Sequence, residues 1–214
     1  DYKGIWLPIY KETLAKRSAF LAQIPFSDMA VYQAILEQIP TPYHIQISNS
    51  APIRYVQLFP AKAGWEFFCN RGTSGIDGST STAIGASVVQ SLPTLLITGD
   101  LSFFYNSNAL WCNYIPKTLK IIIVNNGGGG IFRILPTDKE TPFFETFQET
   151  THSLTAKHLC AMYGFTYLCA QNQEELTKTL EKFFSQYESP MLLEVFTPRI
   201  LNNTILKDYF NVLS

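Results

Sequence analysis

Short runs dominated by Leu, Ile, Val and Thr alternate along the chain with segments of helical spacing. The clearest runs span residues 94–98 and 119–124. Their continuous β-branched and aliphatic character is typical of strands buried on both faces of a parallel sheet. Further strands are predicted at 43–47, 66–69, 165–168 and 191–195.

Helical patterns fill most of the intervals between these strands. The predicted helices span 28–38, 53–58, 80–89, 154–163 and 174–186, and residues 5–24 form a helix or a linker. Ser27 and Asp28 offer an N-terminal cap for the helix at 28–38, and Pro40 and Pro42 end it. The alternation predicts an α/β fold, a doubly wound parallel sheet with helices on both faces. In such sheets, ligands bind at the carboxyl ends of the strands.

Two predicted strand ends carry residues suited to a metal–phosphate site. Gly99 and Asp100 follow one strand, and Asn125 and Asn126 follow the next, just before the glycine run 127–130. Mg²⁺ prefers carboxylate, neutral and phosphate oxygens. The glycines allow a ligand to approach closely, and their amides are expected to point at phosphate. We therefore predict that Asp100 and Asn126 meet at a Mg²⁺–diphosphate site.

Simpler interpretations exist for each segment alone. Asp100 could only cap a helix, and Asn126-Gly127 is a common turn sequence. A P-loop is disfavoured because Ile131 and Phe132, rather than Lys and Ser or Thr, follow the glycines. A Rossmann fingerprint is disfavoured because the glycines at 72, 75 and 78 are spaced by threes.

Composition limits the function classes. The chain has 214 residues, of which 46% are hydrophobic and 15% charged, enough for one large domain with a full core. So few charges suggest that another domain or subunit covers part of the surface. A net charge of −1 excludes a general attraction to nucleic acid, and no apolar run approaches the ~20 residues of a membrane span. The four cysteines show no metal-ligand spacing and are interpreted as reduced thiols of a cytoplasmic protein.

With these residues in place, the chain resembles a known family. Gly99-Asp100 followed by Asn126 resembles the signature of thiamine diphosphate (ThDP) enzymes, with Leu101 at its third position. The loops 71–78 and 131–136 extend the likeness to the menaquinone-pathway SEPHCHC synthases, the MenD family. The match runs from about residue 40 to 196 and covers only that family's carboxy-terminal, diphosphate-binding domain. The resemblance implies that residues 1–40 lead out of a missing middle domain and that 41–214 form the cofactor-binding domain.

The resemblance also implies a role for individual residues. Mg²⁺ (or Mn²⁺) would bind the side chains of Asp100 and Asn126 and the carbonyl of Gly128. The residues expected to line the diphosphate are Gly99, Leu101, Ser102, Asn125 and Gly129. Ile76 would be the apolar wedge under the bent cofactor, and Gly75 its backbone contact. The expected polar substrate contacts are Ser50, Arg54 and Arg71, and the expected apolar wall is Ile131, Phe132 and Leu135.

The activity implied by this family belongs to a larger enzyme. It is a ThDP-dependent transferase that decarboxylates 2-oxoglutarate and adds the resulting carbanion to isochorismate. The glutamate that activates the cofactor comes from the pyrimidine-binding domain of a second subunit, so the full enzyme is expected to be a homo-oligomer and this chain alone inactive. Two alternatives stay open: a domain of another ThDP-dependent decarboxylase or acetolactate-synthase-like enzyme, and a non-catalytic assembly module.

Three features outside the predicted site are less informative. Arg133 is expected to face solvent, and His152 and His158 are expected to be structural or solvent-facing. The segment 136–151, with its polar residues and Phe143-Phe144, is expected either to cover the site or to contact another subunit.

Overall fold

The structure is a computed structural model that describes residues 1–213. Its centre is a six-stranded sheet in which every neighbouring pair is parallel, in the order β2-β1-β3-β4-β6-β5. The strands are β1 Tyr43–Ile47, β2 Trp65–Cys69, β3 Thr94–Gly99, β4 Lys120–Asn125, β5 Thr166–Ala170 and β6 Met191–Phe196. The predicted fold class, an α/β parallel sheet surrounded by helices, is confirmed.

The helices within residues 1–213 include several that the sequence pattern did not reveal. They are α1 Tyr2–Leu21, α2 Asp28–Gln38, α3 Ala51–Val56, α4 Ser79–Val89, α5 Asp100–Tyr105, α6 Ile131–Ile134, α7 Lys157–Tyr163, α8 Gln173–Ser185 and α9 Leu201–Leu213. A 3₁₀ turn covers Ser107–Trp111 and a π-helical turn covers Phe144–Gln148. We had not predicted α6, α9 or these two turns.

Helices cover both faces of the sheet because alternate strand residues point to opposite sides. Leu95 and Ile97 pack with α2, α3, α8 and α9 in one hydrophobic cluster. Leu96 lies between them and packs with α4, α5 and α7 in a second cluster. The strands are therefore buried on both sides, as their continuous apolar character predicts.

The ends of the chain differ in how much of their surface is packed. The first half of α1 exposes Tyr2, Trp6 and Tyr10, whereas Phe20 near its end packs edge-on against Tyr209. α2 packs into the hydrophobic core. The predicted domain division at residue 40 concerns a longer protein and stays a prediction. Among the described residues, no helix is both long and apolar enough to cross a membrane.

The strand order creates a crevice at the carboxyl ends of two strands, where a ligand can bind. After β1 the chain moves to the edge strand β2, and it then returns to the other side of β1 to form β3 and β4. The loops that leave β1 and β3 therefore diverge, and a crevice opens between their carboxyl ends. Residues 48–50 and 100–102 flank this crevice.

Lys120 ties the start of β4 to the end of α8. Its side chain is fully buried, and Nζ donates hydrogen bonds to the carbonyl oxygens of Phe183 at 2.5 Å and Gln186 at 2.6 Å. These carbonyls lie at the carboxyl end of the helix, which otherwise has no intrahelical donors for them. Burial lowers the pKa of Lys120 from 10.5 to about 8.

We expect Lys120→Met to lower the free energy of unfolding at pH 7 by about 1–3 kcal/mol, because the buried carbonyl of Phe183 and the part-buried carbonyl of Gln186 lose their donor. The loss should depend on pH. Between the folded pKa of about 8 and the unfolded value of 10.5, the unfolded chain binds a proton that the folded chain does not. Wild type should therefore gain stability relative to the variant as pH rises from 7.5 to 9.5.

Urea denaturation of both proteins across that pH range measures the difference. A stability gap that stays constant or narrows with rising pH would contradict the expectation.

Candidate functional site

A cleft of about 370 Å³ lies at the carboxyl ends of β1, β3 and β4. Every predicted site residue except Gly75 and Asn125 lines it. The predicted residues that it brings together are Ser50, Arg54, Arg71, Ile76, Gly99, Asp100, Leu101, Ser102, Asn126, Gly128, Gly129, Ile131, Phe132 and Leu135. Lining residues that the sequence analysis did not single out for the site include Asp28, Tyr32, Asn49 and Ser74.

Asp100 and Asn126 lie at the bottom of this cleft and are almost completely buried, with 3% and 8% of their surface exposed. The carboxylate of Asp100 accepts hydrogen bonds from the backbone amides of Leu101 at 2.7 Å and Gly128 at 2.9 Å. The amide nitrogen of Asn126 donates to Asp28 at 2.9 Å. Its oxygen, Oδ1, is buried and has no hydrogen-bond partner among the described residues.

These groups fit a divalent cation held jointly by the protein and a phosphate. An unpaired buried amide oxygen costs free energy that a cation would recover. A carboxylate, an amide oxygen and the carbonyl of Gly128 match the oxygen ligands that Mg²⁺ takes together with phosphate and water. Among the described residues, no group of three or more His, Cys, Asp or Glu side chains forms a metal site. The arrangement therefore suits a cation that arrives with its own oxygen ligands.

Asp28 is the functional candidate that the sequence interpretation missed, because its position at the start of α2 suggested only a helix cap. Its carboxylate accepts hydrogen bonds from Thr197 at 2.5 Å and from Asn126. Burial raises the pKa of Asp28 to about 6, the charge of Asp100 adds to that rise, and these hydrogen bonds oppose it. A second carboxylate therefore lies beside the predicted metal ligands.

The glycine run does not act as we expected. The amides of residues 127–130 all donate to acceptors of the protein itself: Asn125 Oδ1, Asp100 Oδ2, Glu149 O and Gly128 O, in chain order. They are therefore not free to point at phosphate. The glycines are needed for conformation and space, since Gly128 has φ +155° and a Cβ there would lie 2.8 Å from Glu149 O.

Asn125 faces away from the cleft. Its side-chain nitrogen donates to Glu194 at 2.8 Å and to the carbonyl of Leu154 at 3.1 Å. The fully buried carboxylate of Glu194 also accepts from Thr155 at 2.7 Å and Tyr167 at 2.8 Å. Contact of Asn125 with a diphosphate stays a prediction.

The same carboxylate explains a difference between predicted and observed helix boundaries. The backbone amide of Ala156 donates to Glu194 at 3.0 Å, as does the hydroxyl of Thr155. With these bonds Ala156 is the N-cap residue, so α7 begins at Lys157 rather than at residue 154.

Arg133 does not face solvent, contrary to our expectation. Its guanidinium pairs with the fully buried carboxylate of Glu149 and, at 3.1 Å, with Glu145. Arg199 reaches the same two carboxylates at 2.7 and 3.0 Å. The hydrogen bonds that Arg133 donates to Glu149 raise the pKa of Arg133, and the hydrogen bond from Arg199 lowers the pKa of Glu145. This cluster fastens the segment 144–149 to α6 and to the chain after β6.

His152 follows the segment 144–149 in the sequence and lies close to the site. Its Nε2 lies 3.2 Å from the Asp100 carboxylate, and its Nδ1 accepts a hydrogen bond from the backbone of Leu154 at 3.1 Å. The accepting role of Nδ1 places the proton of a neutral imidazole on Nε2, which makes no hydrogen bond to a described residue. No periodic pattern in the sequence indicated that residues 100 and 152 lie close together.

The loop 70–78 is held over the cleft by polar side chains at the strand ends. Asn49 donates to the carbonyls of Asn70 at 3.0 Å and Gly75 at 2.7 Å. Ser102 donates to the carbonyl of Ile76 at 2.5 Å. These bonds place Ile76 at the cleft wall, while Gly75 itself does not line it.

Two arginines stand at the cleft on the side of β1. The side chain of Arg54, in α3, donates to the carbonyl of the N-cap residue Ser50 at 2.7 Å. Arg71 lies in the loop that follows β2, with Nη1 3.5 Å from Asn49 Oδ1. Both guanidinium groups retain further donors for an anionic ligand.

We expect Gly128→Ala to lower the free energy of unfolding by about 1–3 kcal/mol and to displace the glycine run, because the new Cβ would collide with a backbone oxygen. Gly85→Ala is the matched control. A Cβ at Gly85, in the exposed part of α4, meets no described atom within 4 Å, so that change should be neutral or slightly stabilising. Thermal denaturation compares the two, and equal midpoints would argue against the collision.

Comparison with known proteins shows the family of the chain. Residues 51–195 match the family model described as thiamine pyrophosphate enzyme, C-terminal TPP binding domain. The chain is 52% identical over 206 residues, 96% of its length, to the 2-succinyl-5-enolpyruvyl-6-hydroxy-3-cyclohexene-1-carboxylate synthase of Flavobacterium johnsoniae. It is 52% identical over its whole length to the enzyme of that name from Flavobacterium psychrophilum, and 43% identical to that from Porphyromonas gingivalis.

The chain spans 37–39% of the length of these relatives. The family model covers both arginines of the cleft, the loop 70–78, the Asp100–Asn126 pair and the glycine run. The chain therefore belongs to the thiamine pyrophosphate enzymes, as a C-terminal TPP-binding domain.

Proposed function

We propose that the chain is the cofactor-binding part of a 2-succinyl-5-enolpyruvyl-6-hydroxy-3-cyclohexene-1-carboxylate synthase. The observation that carries this proposal is the 52% identity across the whole chain to an enzyme of that name. The complete protein would be a transferase that forms a carbon–carbon bond: it decarboxylates 2-oxoglutarate and adds the product to isochorismate in menaquinone biosynthesis.

In this proposal the cleft floor holds the diphosphate end of the cofactor through Mg²⁺ (or Mn²⁺). The metal ligands are the side chains of Asp100 and Asn126 and the carbonyl of Gly128. Support comes from the burial of both side chains and the unpaired Oδ1 of Asn126. Gly99, Leu101 and Ser102 line the cleft where the diphosphate would lie. When bound, thiamine diphosphate supplies an electron sink for the carbanion formed by decarboxylation.

The remaining cleft residues position the cofactor and exclude water from the reacting centre. Ile76 forms an apolar surface under the cofactor, and its backbone is fixed by Ser102. Ile131, Phe132 and Leu135 form an apolar wall that excludes water from the reacting centre.

Arg54 and Arg71 bind substrate carboxylates. Both proposed substrates carry several carboxylates, and a guanidinium matches a carboxylate with two parallel hydrogen bonds. The net charge of the chain is only −1, so attraction for such anions has to be produced locally by these side chains.

The proposal assigns activation of the cofactor to a different domain. A glutamate from the pyrimidine-binding domain of a second subunit would act on the cofactor, so the working enzyme is a homo-oligomer of the longer protein, located in the cytoplasm. The exposed apolar side chains in the first half of α1 are consistent with coverage by other parts of that protein.

We expect Asp100→Ala and Asn126→Ala each to weaken the binding of thiamine diphosphate with Mg²⁺ by at least about 10-fold, since even outer-shell partners of a metal typically contribute 10–100-fold. Asp208→Ala, which removes an exposed carboxylate on α9, is the control and should leave affinity unchanged. Isothermal titration calorimetry measures all three. Unchanged affinity in Asp100→Ala would refute the assignment, and a wild-type chain that binds no cofactor would favour an assembly module.

We expect no turnover of 2-oxoglutarate and isochorismate by the 214-residue chain alone, and turnover once it is combined with the missing domains. In the complete enzyme, Arg71→Ala should raise KM for substrate about 10-fold, the effect of a lost charge-assisted hydrogen bond. Arg71→Lys keeps the positive charge but cannot form two parallel hydrogen bonds to a carboxylate. Its KM should therefore lie between those of wild type and Arg71→Ala. Activity of the isolated chain, or an unchanged KM in Arg71→Ala, would contradict these roles.

A further inference from the structure

The side-chain amide of Asn126 has two chemically different ends of nearly equal size. Nδ2 only donates hydrogen bonds, whereas Oδ1 only accepts them and is the end that can bind a cation. A half-turn of the amide exchanges the two ends with little change in volume. Some neighbouring group must therefore decide which end faces the cleft.

In the structure, the carboxylate of Asp28 determines the orientation of the Asn126 amide. Its Oδ2 accepts a hydrogen bond from Nδ2 of Asn126 at 2.9 Å. In the reversed orientation Oδ1 would face a carboxylate oxygen, and two buried acceptors would oppose each other without a donor. The observed orientation leaves Oδ1 of Asn126 buried and without a hydrogen-bond partner among the described residues.

The carboxylate of Asp28 is itself held from several directions. Thr197, just after β6, donates to its Oδ1 at 2.5 Å. The backbone amide of Asp28 donates to Oδ1 of Asn202 at 2.8 Å, and Nδ2 of Asn202 donates to the carbonyl of Pro198 at 2.7 Å. The start of α2, the segment after β6 and the start of α9 thus fix one carboxylate against Asn126, and only 2% of Asp28 is exposed.

We propose that Asp28 is a positioning residue that sets the orientation of the Asn126 amide and so presents Oδ1 to a divalent cation. The proposal rests on the proposed metal-binding role of Asn126. Asp28 acts through that amide, since its contact is with the amide nitrogen.

A purely structural role for Asp28 makes a different prediction, and Asn126→Asp separates the two. Both terminal atoms of an aspartate are oxygens, so its side chain has no preferred end. Because an aspartate at 126 would oppose the acceptor of Asp28, the reference in this background carries Asp28→Asn, whose amide supplies the missing donor. If Asp28 acts by orienting the amide, its removal matters with asparagine at 126 and not with aspartate. If Asp28 only stabilises the fold, its removal matters equally in both backgrounds.

The test measures Mn²⁺ binding in the presence of thiamine diphosphate by electron paramagnetic resonance of the free ion. We expect Asp28→Ala to weaken Mn²⁺ binding about 10–100-fold, the usual effect of losing an orienting partner. Asp28→Asn is the conservative control: its amide oxygen still accepts from Asn126 while Thr197 accepts from its nitrogen, so affinity should stay within about threefold of wild type. In the Asn126→Asp background, Asp28→Ala should bind Mn²⁺ as tightly as the reference Asp28→Asn. Asp28→Leu replaces Asp28→Ala if the smaller side chain prevents folding.

Equal losses in both backgrounds, or no loss in Asp28→Ala, would overturn the proposal. The orientation is also measured without metal, through the side-chain NH₂ resonances of Asn126 in ¹⁵N–¹H spectra, which Asn126→Asp identifies by their absence. Asp28→Ala should shift these resonances and speed their hydrogen exchange, and Asp28→Asn should preserve them. Unaltered resonances in Asp28→Ala would refute the orienting contact. A wild-type protein that keeps this contact but binds no Mn²⁺ would instead refute the proposed metal role.

Discussion

The burial of Asp100 and Asn126 at neighbouring strand ends, together with the carboxylate of Asp28 at the start of α2, is the constraint on which the rest of the structure depends. Asp28 and Asp100 are 2% and 3% exposed, and Oδ1 of Asn126 has no hydrogen-bond partner among the described residues. Buried charge is costly unless hydrogen bonds or a counter-ion compensate it. The protein supplies part of the compensation through Thr197 and the amides of Leu101 and Gly128. In the proposed function, a cation held with a diphosphate supplies the rest of the compensation.

Two further buried carboxylates hold the frame around this site. Glu194 joins the end of β4 to the start of α7 through Asn125 and Thr155. Glu149 joins the glycine run to Arg133 and Arg199, and its carbonyl accepts from the amide of Gly129 at 2.6 Å. Both carboxylates are fully buried and satisfied by several donors. Such networks restrict the backbone to one arrangement, which a site assembled from loops at several strand ends requires.

Local sequence patterns predicted the sheet well because each strand is determined by its own short apolar run. They predicted the start of α2 because Ser27 accepts a hydrogen bond from Ala30, a contact within one turn. They misplaced the start of α7 because a contact with Glu194, 38 residues away, makes Ala156 the N-cap and leaves residues 154 and 155 outside the helix. We did not predict α9, although its buried residues Ile205, Leu206 and Tyr209 recur at helical spacing.

The sequence alone determined that this chain forms a parallel α/β sheet and that Asp100 and Asn126 end neighbouring strands, since both follow from apolar runs and from the order of residues along the chain. Only the tertiary structure decided which groups surround that pair. The hydrogen bond between Asp28 and Asn126 joins residues 98 positions apart in the sequence. His152 and Asp100 are also far apart in the sequence but lie close together in the fold. It also decided that the glycine amides serve the protein itself, and which end of the Asn126 amide faces the cleft. The physical reason is that hydrogen-bond geometry in a buried site depends on all the elements packed against it, and no local pattern records their arrangement.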